Sequence, residues 1–276
     1  MRRFFSTMLL MLFAACGSLW AQQDVTSTYL TNAGFGSGSA ATANAAWGSN
    51  NTATNVAGWT GTASGWHSSA VFTYGSSYGL RDNGEPAKTL PPTSGPSGTN
   101  GRCLGLVAAW AGGTMYYSQA VTLPAGDYTL KVYVYNTGSD HSEFTRFGWY
   151  PSSGTAVTIA TPTATGSWQT LSTTFTLAAS TNGNLQIGYV SNGNSGVTNH
   201  AHLFIDRIEL LWTDPALAPT KRNLDGMVKK AEALNTVLGN SALASLITTI
   251  KGKTYTTVAA VNTDAAALEA YFPSET

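Results

Sequence analysis

The side chains of this sequence best suited to contact a ligand are aromatic and polar groups between residues 66 and 149. A flat aromatic ring matches the apolar C–H side of a pyranose, and polar groups such as a guanidinium bind its hydroxyls. Trp110 precedes the turn at residues 111–113, and Trp149 is followed by Tyr150 and Pro151, so both tryptophans are expected at strand ends. Packing in or beside the core is the alternative role of each tryptophan. The predicted ligand-binding residues are Trp66, Tyr74, Tyr78, Arg81, Trp110 and Trp149.

Charged residues form a second candidate cluster. Asp140 and Glu143, with Arg146 nearby, make the densest charged patch of the strand-rich region. They could bond sugar hydroxyls, and a solvated hairpin tip is the alternative. His200 and His202 alternate in a predicted strand and should face the same way. Two histidines without a third ligand are only half of a zinc site.

Signatures of catalysis are weak. The short-spaced acid pairs Asp140/Glu143 and Asp206/Glu209 have the residue types for glycoside hydrolysis, which needs two carboxyl groups flanking one bond. Such spacings also arise by chance. The sequence has no phosphate-binding loop of the Gly-x-x-x-x-Gly-Lys-Ser/Thr type. Cys103 begins the apolar run Cys-Leu-Gly-Leu-Val, which predicts a buried, inert thiol.

Residues 1–21 have the pattern of an export signal. Arg2 and Arg3 precede an apolar run at residues 4–15 that is too short to span a bilayer comfortably. Leu-Trp-Ala at residues 19–21 resembles a signal peptidase site, so we predict a signal peptide and a secreted, periplasmic or cell-surface protein. Lipid anchoring at Cys16 is the alternative, although Phe13 stands where a lipoprotein box usually has an aliphatic residue.

Composition narrows the class of partner. Only 10% of the 276 residues are charged, and the formal net charge is zero. Neither nucleic acid nor an acidic membrane surface is therefore an implied partner. No segment after the leader is long and apolar enough to be a transmembrane helix. We expect a monomer.

Residues 22–214 read as short strands separated by Gly, Asn, Ser and Pro. Apolar and polar residues alternate in many of them, as in half-buried antiparallel strands. Two such patterns flank Pro124-Ala-Gly-Asp127, which predicts a hairpin with Leu130, Val132 and Val134 facing the core. The predicted strands are residues 25–30, 70–74, 104–110, 115–121, 128–135, 144–149, 156–160, 171–177, 185–190 and 202–212. They predict a mainly β fold, with a two-sheet antiparallel jelly-roll sandwich.

The spacing of apolar residues changes at the predicted Pro-rich linker, residues 215–219. Residues 220–276 contain three apolar stripes with helical spacing, which predict a C-terminal three-helix bundle. The first stripe runs from Leu224 to Leu238, and the second and third begin at Leu243 and Val258. We expect this bundle to act as a spacer or docking module.

Several short motifs occur in an order that resembles a known group of domains. Asn32-Ala-Gly-Phe35, Gly58-Trp59, the segment 119–128, Gly166-Ser-Trp168 and the segment 204–210 are similar to the galactose-binding-like β-sandwiches among bacterial carbohydrate-binding modules. The helical region resembles small three-helix modules of bacterial surface and carbohydrate-active proteins. The first resemblance implies the sandwich fold and a sugar ligand.

The same resemblance implies a possible structural calcium ion. Family members often hold it with the acid that matches Asp206 and with an acid after the N-terminal Phe, where this chain has Gly36. Asp24 or backbone carbonyls would have to substitute, because calcium needs several oxygen ligands. The apolar parity also shifts within residues 202–210, which predicts a bulge at Asp206-Arg207. A hydrogen-bonding structural role for Asp206 is the alternative.

These patterns favour a non-catalytic module that binds a polysaccharide or glycan through aromatic platforms at the loop rim of the sandwich. A jelly-roll polysaccharide lyase or glycoside hydrolase is one alternative. A structural or adhesive surface module without a sugar ligand is the other.

Overall fold

The computed structural model describes residues 22–46, 55–81, 88–96, 100–137, 145–190 and 201–272, without the side chains of residues 46, 66–68, 108–112 and 201. The predicted signal peptide, Cys16, His200 and the Asp140/Glu143 pair lie outside the described residues. The chain divides into two compact units, one of them Asp24–Trp212 and the other including Thr213–Thr276. Each unit is built around its own core.

The described residues form twelve strands and four helices. The strands are β1 (Gln23–Asp24), β2 (Ala45–Ala46), β3 (Thr60–Thr73), β4 (Leu80–Arg81), β5 (Lys88–Thr89), β6 (Arg102–Leu123), β7 (Gly126–Asn136), β8 (Gly148–Pro151), β9 (Val157–Thr158), β10 (Trp168–Leu177), β11 (Thr181–Val190) and β12 (Ala201–Thr213). The helices are α1 (Thr26–Tyr29), α2 (Leu217–Leu238), α3 (Ser241–Lys251) and α4 (Val258–Glu269).

Two layers of mainly antiparallel strands form the sandwich, which confirms the predicted fold class. The hydrogen-bonded order is β10-β7-β12-β6-β11-β8-β9, with β3 beside β6 and β1 beside β12. Strand β6 pairs with β12 through residues 104–108 and with β11 through residues 114–123, and β3 follows both parts of β6. Layer A is defined as β10, β7, β12, residues 102–108 of β6 and residues 67–73 of β3. Layer B is defined as β9, β8, β11, residues 113–123 of β6 and residues 60–65 of β3.

One apolar core lies between the layers. Leu104, Val132 and Leu203 enter it from layer A, and Tyr117 and Ile187 enter it from layer B. Each of these side chains is at most 2% exposed. Full burial of one such aliphatic side chain contributes about 1.5–3 kcal/mol. This core fixes which face of each strand points outward, and so it positions every candidate site residue.

The turn at Pro124-Ala-Gly-Asp127 does not close a hairpin. Strand β6 ends in layer B beside β11, whereas β7 lies in layer A between β10 and β12. Gly126 has φ 146°, the positive value that the turn requires and that glycine tolerates. The turn therefore carries the chain from one layer to the other. Leu130, Val132 and Val134 face the core as predicted.

A small three-stranded sheet, in the order β2-β4-β5, belongs to the same unit. Leu80 of this sheet is buried with Phe72, Cys103 and Phe204, which come from the outward side of layer A. These residues form a second, smaller apolar cluster. Gly105 lies within it, and a Cβ there would stand 2.8 Å from the Phe72 ring.

The helical unit has the three predicted helices, with two differences at α2. This helix begins at Leu217, inside the predicted linker, because Pro219 lies in its first turn, where a backbone N–H has no helical partner to lose. Leu238, predicted to lie on the buried stripe, is 57% exposed because it is the last residue of the helix, just before the left-handed Gly239. Among the described residues, no helix is both long and apolar enough to cross a membrane.

Candidate functional site

The outward face of layer B carries a polar and aromatic surface. Strand alternation sends Leu185, Ile187 and Tyr189 into the core and turns the residues between them outward. The same alternation in β6 buries Met115 and Tyr117 and turns Tyr116 outward. We call this surface the layer-B face and define it by Thr60, Thr62, Tyr116, Ser118, Ala120, Thr122, Arg146, Tyr150, Ser152, Asn182, Asn184 and Gln186.

Arg146 is the centre of the face. Its guanidinium carbon lies 4.7 Å from the centre of the Tyr116 ring and 4.5 Å from the centre of the Tyr150 ring. Its Nε donates to Oε1 of Gln186 at 2.5 Å, and its backbone N–H donates to the carbonyl of Gly188 at 3.1 Å. Two cation–π contacts and the Nε hydrogen bond therefore hold the side chain in one orientation, while the backbone bond fixes the strand position of Arg146.

A glycine makes the close packing beneath this cluster possible. Gly188 lies opposite Tyr116 in the β6–β11 pairing and has φ 139°. A Cβ at this position would stand 2.2 Å from the Met115 carbonyl oxygen, which no side chain can do without moving the backbone. Strand β11 therefore has no side chain at position 188, opposite Tyr116.

A shallow polar cleft of about 350 Å³ lies at the other end of the same face. It is lined by Thr122, Ser152, Asn182 and Asn184, together with Ala120, Val121 and Gly183. The hydroxyl of Thr122 donates to Oδ1 of Asn182 at 2.7 Å, which leaves the amide nitrogen of Asn182 available. Within the described part of the chain, the half-buried amide of Asn184 has no hydrogen-bond partner.

The face carries one formal charge among its described residues, that of Arg146. No ion pair joins Arg146 to a described carboxylate. Burial raises the pKa of the Tyr150 hydroxyl, and this outweighs the opposite effect of the Arg146 charge beside it. Tyr150 is therefore neutral at physiological pH and can both donate and accept hydrogen bonds.

Trp149 corrects the predicted ligand set, because it is a core residue. Its side chain is 1% exposed, and its ring stacks on Phe175 with the ring centres 6.0 Å apart. In β8 the residue that faces outward is its neighbour Tyr150. The larger ring therefore fills the core, and Trp149 offers no ring face to a ligand.

The predicted rim residues Tyr74, Tyr78 and Arg81 lie on or just before the small sheet. Tyr78 is 41% exposed, whereas Tyr74 and Arg81 are half-buried. The Tyr74 hydroxyl donates to Asp206, and its ring makes an edge contact with Trp168. The side chains of Trp66 and Trp110 lie outside the described residues.

The remaining described tryptophans also pack against the protein. Trp59 is 6% exposed and lies in the main core beside Phe35. Trp168 is half-buried and donates its indole N–H to the Ser94 carbonyl at 3.0 Å. Trp212 is half-buried and donates to the Ala125 carbonyl at 3.1 Å. None of these described tryptophans belongs to the layer-B face. The described aromatic rings of that face are those of Tyr116 and Tyr150.

The two predicted metal ligands, Asp206 and Asp24, line a cleft that Arg207 also lines. The cleft has a volume of about 340 Å³. Asp206 is 1% exposed, and Nη1 of Arg207 donates to its Oδ2 at 2.8 Å. Nε of Arg207 donates to Oε1 of Glu209 at 3.0 Å, and Oδ1 of Asp24 accepts the backbone N–H of Thr26 at 2.9 Å.

This donor set does not fit a calcium ion. The guanidinium of Arg207 already places a positive charge against the buried carboxylate, and a second cation there would be repelled. Burial alone would lower the pKa of Arg207, but its bonds to Glu209 and Asp206 raise the pKa above the ordinary value. Among the described residues, no group of three His, Cys, Asp or Glu side chains could hold a metal ion.

Asp206, Glu209 and His202 have structural partners. Asp206 and Glu209 each form an ion pair with Arg207, at 2.8 and 3.0 Å. His202 shares a hydrogen bond of 2.7 Å with the Thr89 hydroxyl. Cys103 is fully buried, and burial, with a smaller contribution from the charge of Asp206, raises the pKa of its thiol.

Sequence reasoning missed most of the layer-B face. It selected Arg146 for its charged neighbours, and it did not select Tyr116, Tyr150, Asn184 or Gln186. A signal for them exists in the polar positions of Asn182-Gly-Asn-Leu-Gln186, which alternate with core residues along β11. That alternation shows which side chains face outward, but not which strands bring them together.

Comparisons with known proteins identify similar folds and no family. No protein-family model matches the sequence, and a search of curated proteins found no match. The chain is similar to the solved structure of TmCBM61 in complex with β-1,4-galactotriose, at 14% identity and a TM-score of 0.36, over 66% of this chain and 96% of the other.

Two further solved structures show the same level of similarity. The CBM22-2 xylan-binding domain from Paenibacillus barcinonensis Xyn10C is 13% identical, with a TM-score of 0.34 over 58% of this chain and 94% of the other. The Stig cyclase Fisc from Fischerella sp. TAU is 12% identical, with a TM-score of 0.37 over 66% of this chain and 95% of the other. Similarity at this level transfers neither a ligand nor an activity to this chain.

Proposed function

We propose that this chain is a non-catalytic carbohydrate-binding module that binds a polysaccharide or glycan on the layer-B face. The observation that carries the proposal is the joint presence, on one sheet face, of two tyrosines around a fixed guanidinium and an adjacent cleft lined by amides. Tyr116, Tyr150 and Arg146 form the first part, and Asn182 and Asn184 line the second.

Each part of the face has a counterpart in a sugar. A pyranose combines an apolar C–H surface with a ring of hydroxyls that both donate and accept hydrogen bonds. Tyrosine rings offer apolar contact area with a polar tip. Amide side chains offer donors and acceptors in one group, and the guanidinium offers donors only. Because Arg146 and Tyr150 are held in place before a ligand arrives, little side-chain entropy is lost on binding.

The remaining parts of the proposal rest on the sequence. We infer that the protein works outside the cytoplasm, secreted or at a cell surface, because residues 1–21 have the pattern of an export signal. We also infer that it is a monomer and that the helical unit is a spacer or docking module. Mass spectrometry of the exported protein tests the first inference, and a mature chain beginning at Gln22 is the expected result.

The binding experiment uses affinity electrophoresis of the purified protein through gels that contain soluble polysaccharides. We expect retardation by at least one polysaccharide. Tyr150→Ala and Asn184→Ala should each weaken binding about tenfold, because the loss of about 1.4 kcal/mol of contact free energy changes a dissociation constant by that factor. Circular dichroism checks that each variant is folded.

The matched control is Tyr78→Ala, which removes an exposed tyrosine of the predicted rim. If Tyr78→Ala abolishes retardation while Tyr150→Ala and Asn184→Ala do not, the ligand lies at the rim with Tyr74 and Arg81, as the sequence predicted. If the folded protein is retarded by no polysaccharide, the proposal is wrong. Retention on a cell surface that free sugars do not compete away would instead support an adhesive module.

A further inference from the structure

We infer that the layer-B face selects acidic glycans, and that Arg146 binds the carboxylate of a uronic acid or the sulfate of a sulfated sugar. This inference rests on the proposed function and names the ligand class of the same site. It depends on four features of Arg146: its fixed orientation, and, among the described residues, its free donors, its lack of a carboxylate partner and the charge of its surroundings.

The orientation is fixed from three sides. The rings of Tyr116 and Tyr150 each lie less than 5 Å from the guanidinium carbon, at 4.7 and 4.5 Å. Gln186 accepts the hydrogen bond of Nε at 2.5 Å. Gln186 is itself 8% exposed, so its amide is held within the sheet surface.

The terminal nitrogens are the part of the guanidinium that remains available. An arginine has five N–H donors, and the one on Nε is used by Gln186. Among the described residues, no hydrogen bond or ion pair involves the terminal nitrogens of Arg146. Two parallel N–H donors fit the oxygens of a carboxylate or a sulfate in a bidentate geometry.

None of the described residues around Arg146 compensates its positive charge. The outward positions of the paired strands that form the face are Thr, Ser, Ala, Asn, Gln, Gly and Tyr, and none of the described ones is acidic. By contrast, Arg207 of the same unit is bonded to both Asp206 and Glu209. A fixed cation without a counter-ion favours an anionic ligand over a neutral one of the same shape.

The test measures binding of the full chain to matched acidic and neutral polymers by isothermal titration calorimetry. The carboxylate probes are polygalacturonate, alginate and hyaluronate, with carboxyl-reduced polygalacturonate as the neutral counterpart. The sulfate probe is dextran sulfate, with dextran as its counterpart. We expect at least one acidic polymer to bind at least tenfold more tightly than its neutral counterpart, and the carboxylate and sulfate arms distinguish the two sources of negative charge.

Two variants, each compared with a second substitution, test the role of Arg146. Arg146→Gln should remove the preference for the acidic polymer, whereas Arg222→Gln, which removes an exposed arginine from α2, should keep it. Thr62→Asp places a carboxylate opposite Tyr116 without changing Arg146, and it should also remove the preference. Thr62→Asn adds a side chain of the same size without the charge, and it should affect binding of the acidic and the neutral polymers alike. The Asp variant keeps the inference testable if Arg146→Gln does not fold.

The possible failures are distinguishable. If a neutral polymer binds at least as tightly as every acidic probe, the acidic selectivity is overturned and the proposed function stands. A preference that survives in both folded Arg146→Gln and folded Thr62→Asp also overturns the inference. If the folded protein binds no polysaccharide of either kind, the proposed function itself fails.

Discussion

At the scale of single residues, Arg146 and Arg207 of the sandwich show how different partners give one type of side chain different roles. Arg207 lies between two carboxylates and is 18% exposed, so its charge is neutralised within the protein. Arg146 lies between two neutral rings and keeps its charge available to a ligand. In the sequence, Asp206 directly precedes Arg207 and Glu209 follows it by two residues. The spacing alone therefore suggests that these acids pair with Arg207. Of the two tyrosines around Arg146, Tyr150 is four residues away in sequence, but Tyr116 comes from β6, so local spacing could not reveal the whole cluster.

A prediction about calcium follows from Arg207. The melting temperature of the protein should be the same in 5 mM EDTA and in about 1 mM calcium, because the guanidinium already stabilises the Asp206 carboxylate. Asp206→Asn should lower the free energy of unfolding by about 1–3 kcal/mol, since it weakens buried charge-assisted hydrogen bonds. Differential scanning calorimetry in the two buffers measures the first effect, and urea denaturation measures the second. A calcium-dependent rise of several degrees in the melting temperature would contradict this account.

The tryptophans explain why candidate ligand-binding side chains are harder to predict from the sequence than the fold. An indole serves as well in a core as on a binding surface, and composition alone does not separate the two uses. Trp149 and Tyr150 are adjacent in one strand, so one of them must face inward. Trp149 does so and stacks on Phe175, although its indole N–H has no hydrogen-bond partner among the residues that the structure describes. The choice depends on which face of β8 meets the core, and this is a property of the assembled layers.

At the scale of elements, alternation predicted the strands well and their pairing poorly. The parity shift in residues 202–210 predicted a bulge, and Leu203, Ile205, Ile208 and Leu210 do all reach the same core, which requires one extra residue between Ile205 and Ile208. Strand β6, predicted as two strands, is continuous over 22 residues and serves both layers. Pairing depends on contacts far apart in sequence, so the turn after β6 looked like a hairpin although it joins the two layers.

Strand β7, which follows this turn, leads to a prediction about the free energy of unfolding. Leu130→Ala should lower the free energy of unfolding by about 2–5 kcal/mol, because Leu130 is 1% exposed and its loss leaves a cavity in the main core. Binding to a polysaccharide, measured while the variant is folded, should stay within a few-fold of the unchanged protein. Thr129→Ala, at the neighbouring half-buried position, is the matched control for stability. An equal loss of stability in both variants would mean that the core does not depend on β7 in the way described.

The helices contain one buried charged group, and it predicts a pH dependence. Asp264 of α4 is 6% exposed, and it accepts hydrogen bonds from Lys253 at 2.7 and 2.8 Å and from the Tyr255 hydroxyl. Burial alone would raise the pKa of Asp264, but these bonds lower the pKa below its ordinary value of 3.8. A carboxyl group whose pKa is lower in the folded state stabilises the fold above its unfolded pKa and stops doing so as the pH falls through the folded pKa.

The helical unit should therefore lose stability as the pH falls below about 4, which is the ordinary pKa of an aspartate side chain. Asp264→Asn should be less stable than the unchanged protein at pH 7 and should lose less stability on acidification. Thermal melts followed by circular dichroism at 222 nm between about pH 3 and 7 measure both effects. If the unchanged protein and the variant respond to pH in parallel, Asp264 does not carry this dependence.

At the scale of the whole molecule, the change from strands to helices was the part of the organisation that the sequence predicted most directly. Alternation with period two gives way to apolar stripes with helical spacing, and the structure divides the chain at Trp212 and Thr213. The predicted linker at residues 215–219 is shorter than expected, since α2 begins at Leu217. In the sequence, Pro219 looked like a linker residue. A proline also fits the first turn of a helix, and the structure shows that Pro219 occupies that position in α2.

Because each unit has its own core, the two should be separable. Every described residue of the layer-B face lies in Asp24–Trp212, and so do all residues of the main core. A chain that ends at Trp212 should therefore stay folded and bind any polysaccharide ligand within a few-fold of the full chain, as measured by affinity electrophoresis. A fragment that begins at Thr213 should bind none. If the truncated sandwich is folded by circular dichroism and has lost all binding, the helical unit contributes to the site, and the ligand cannot be held by Arg146 and its tyrosines alone.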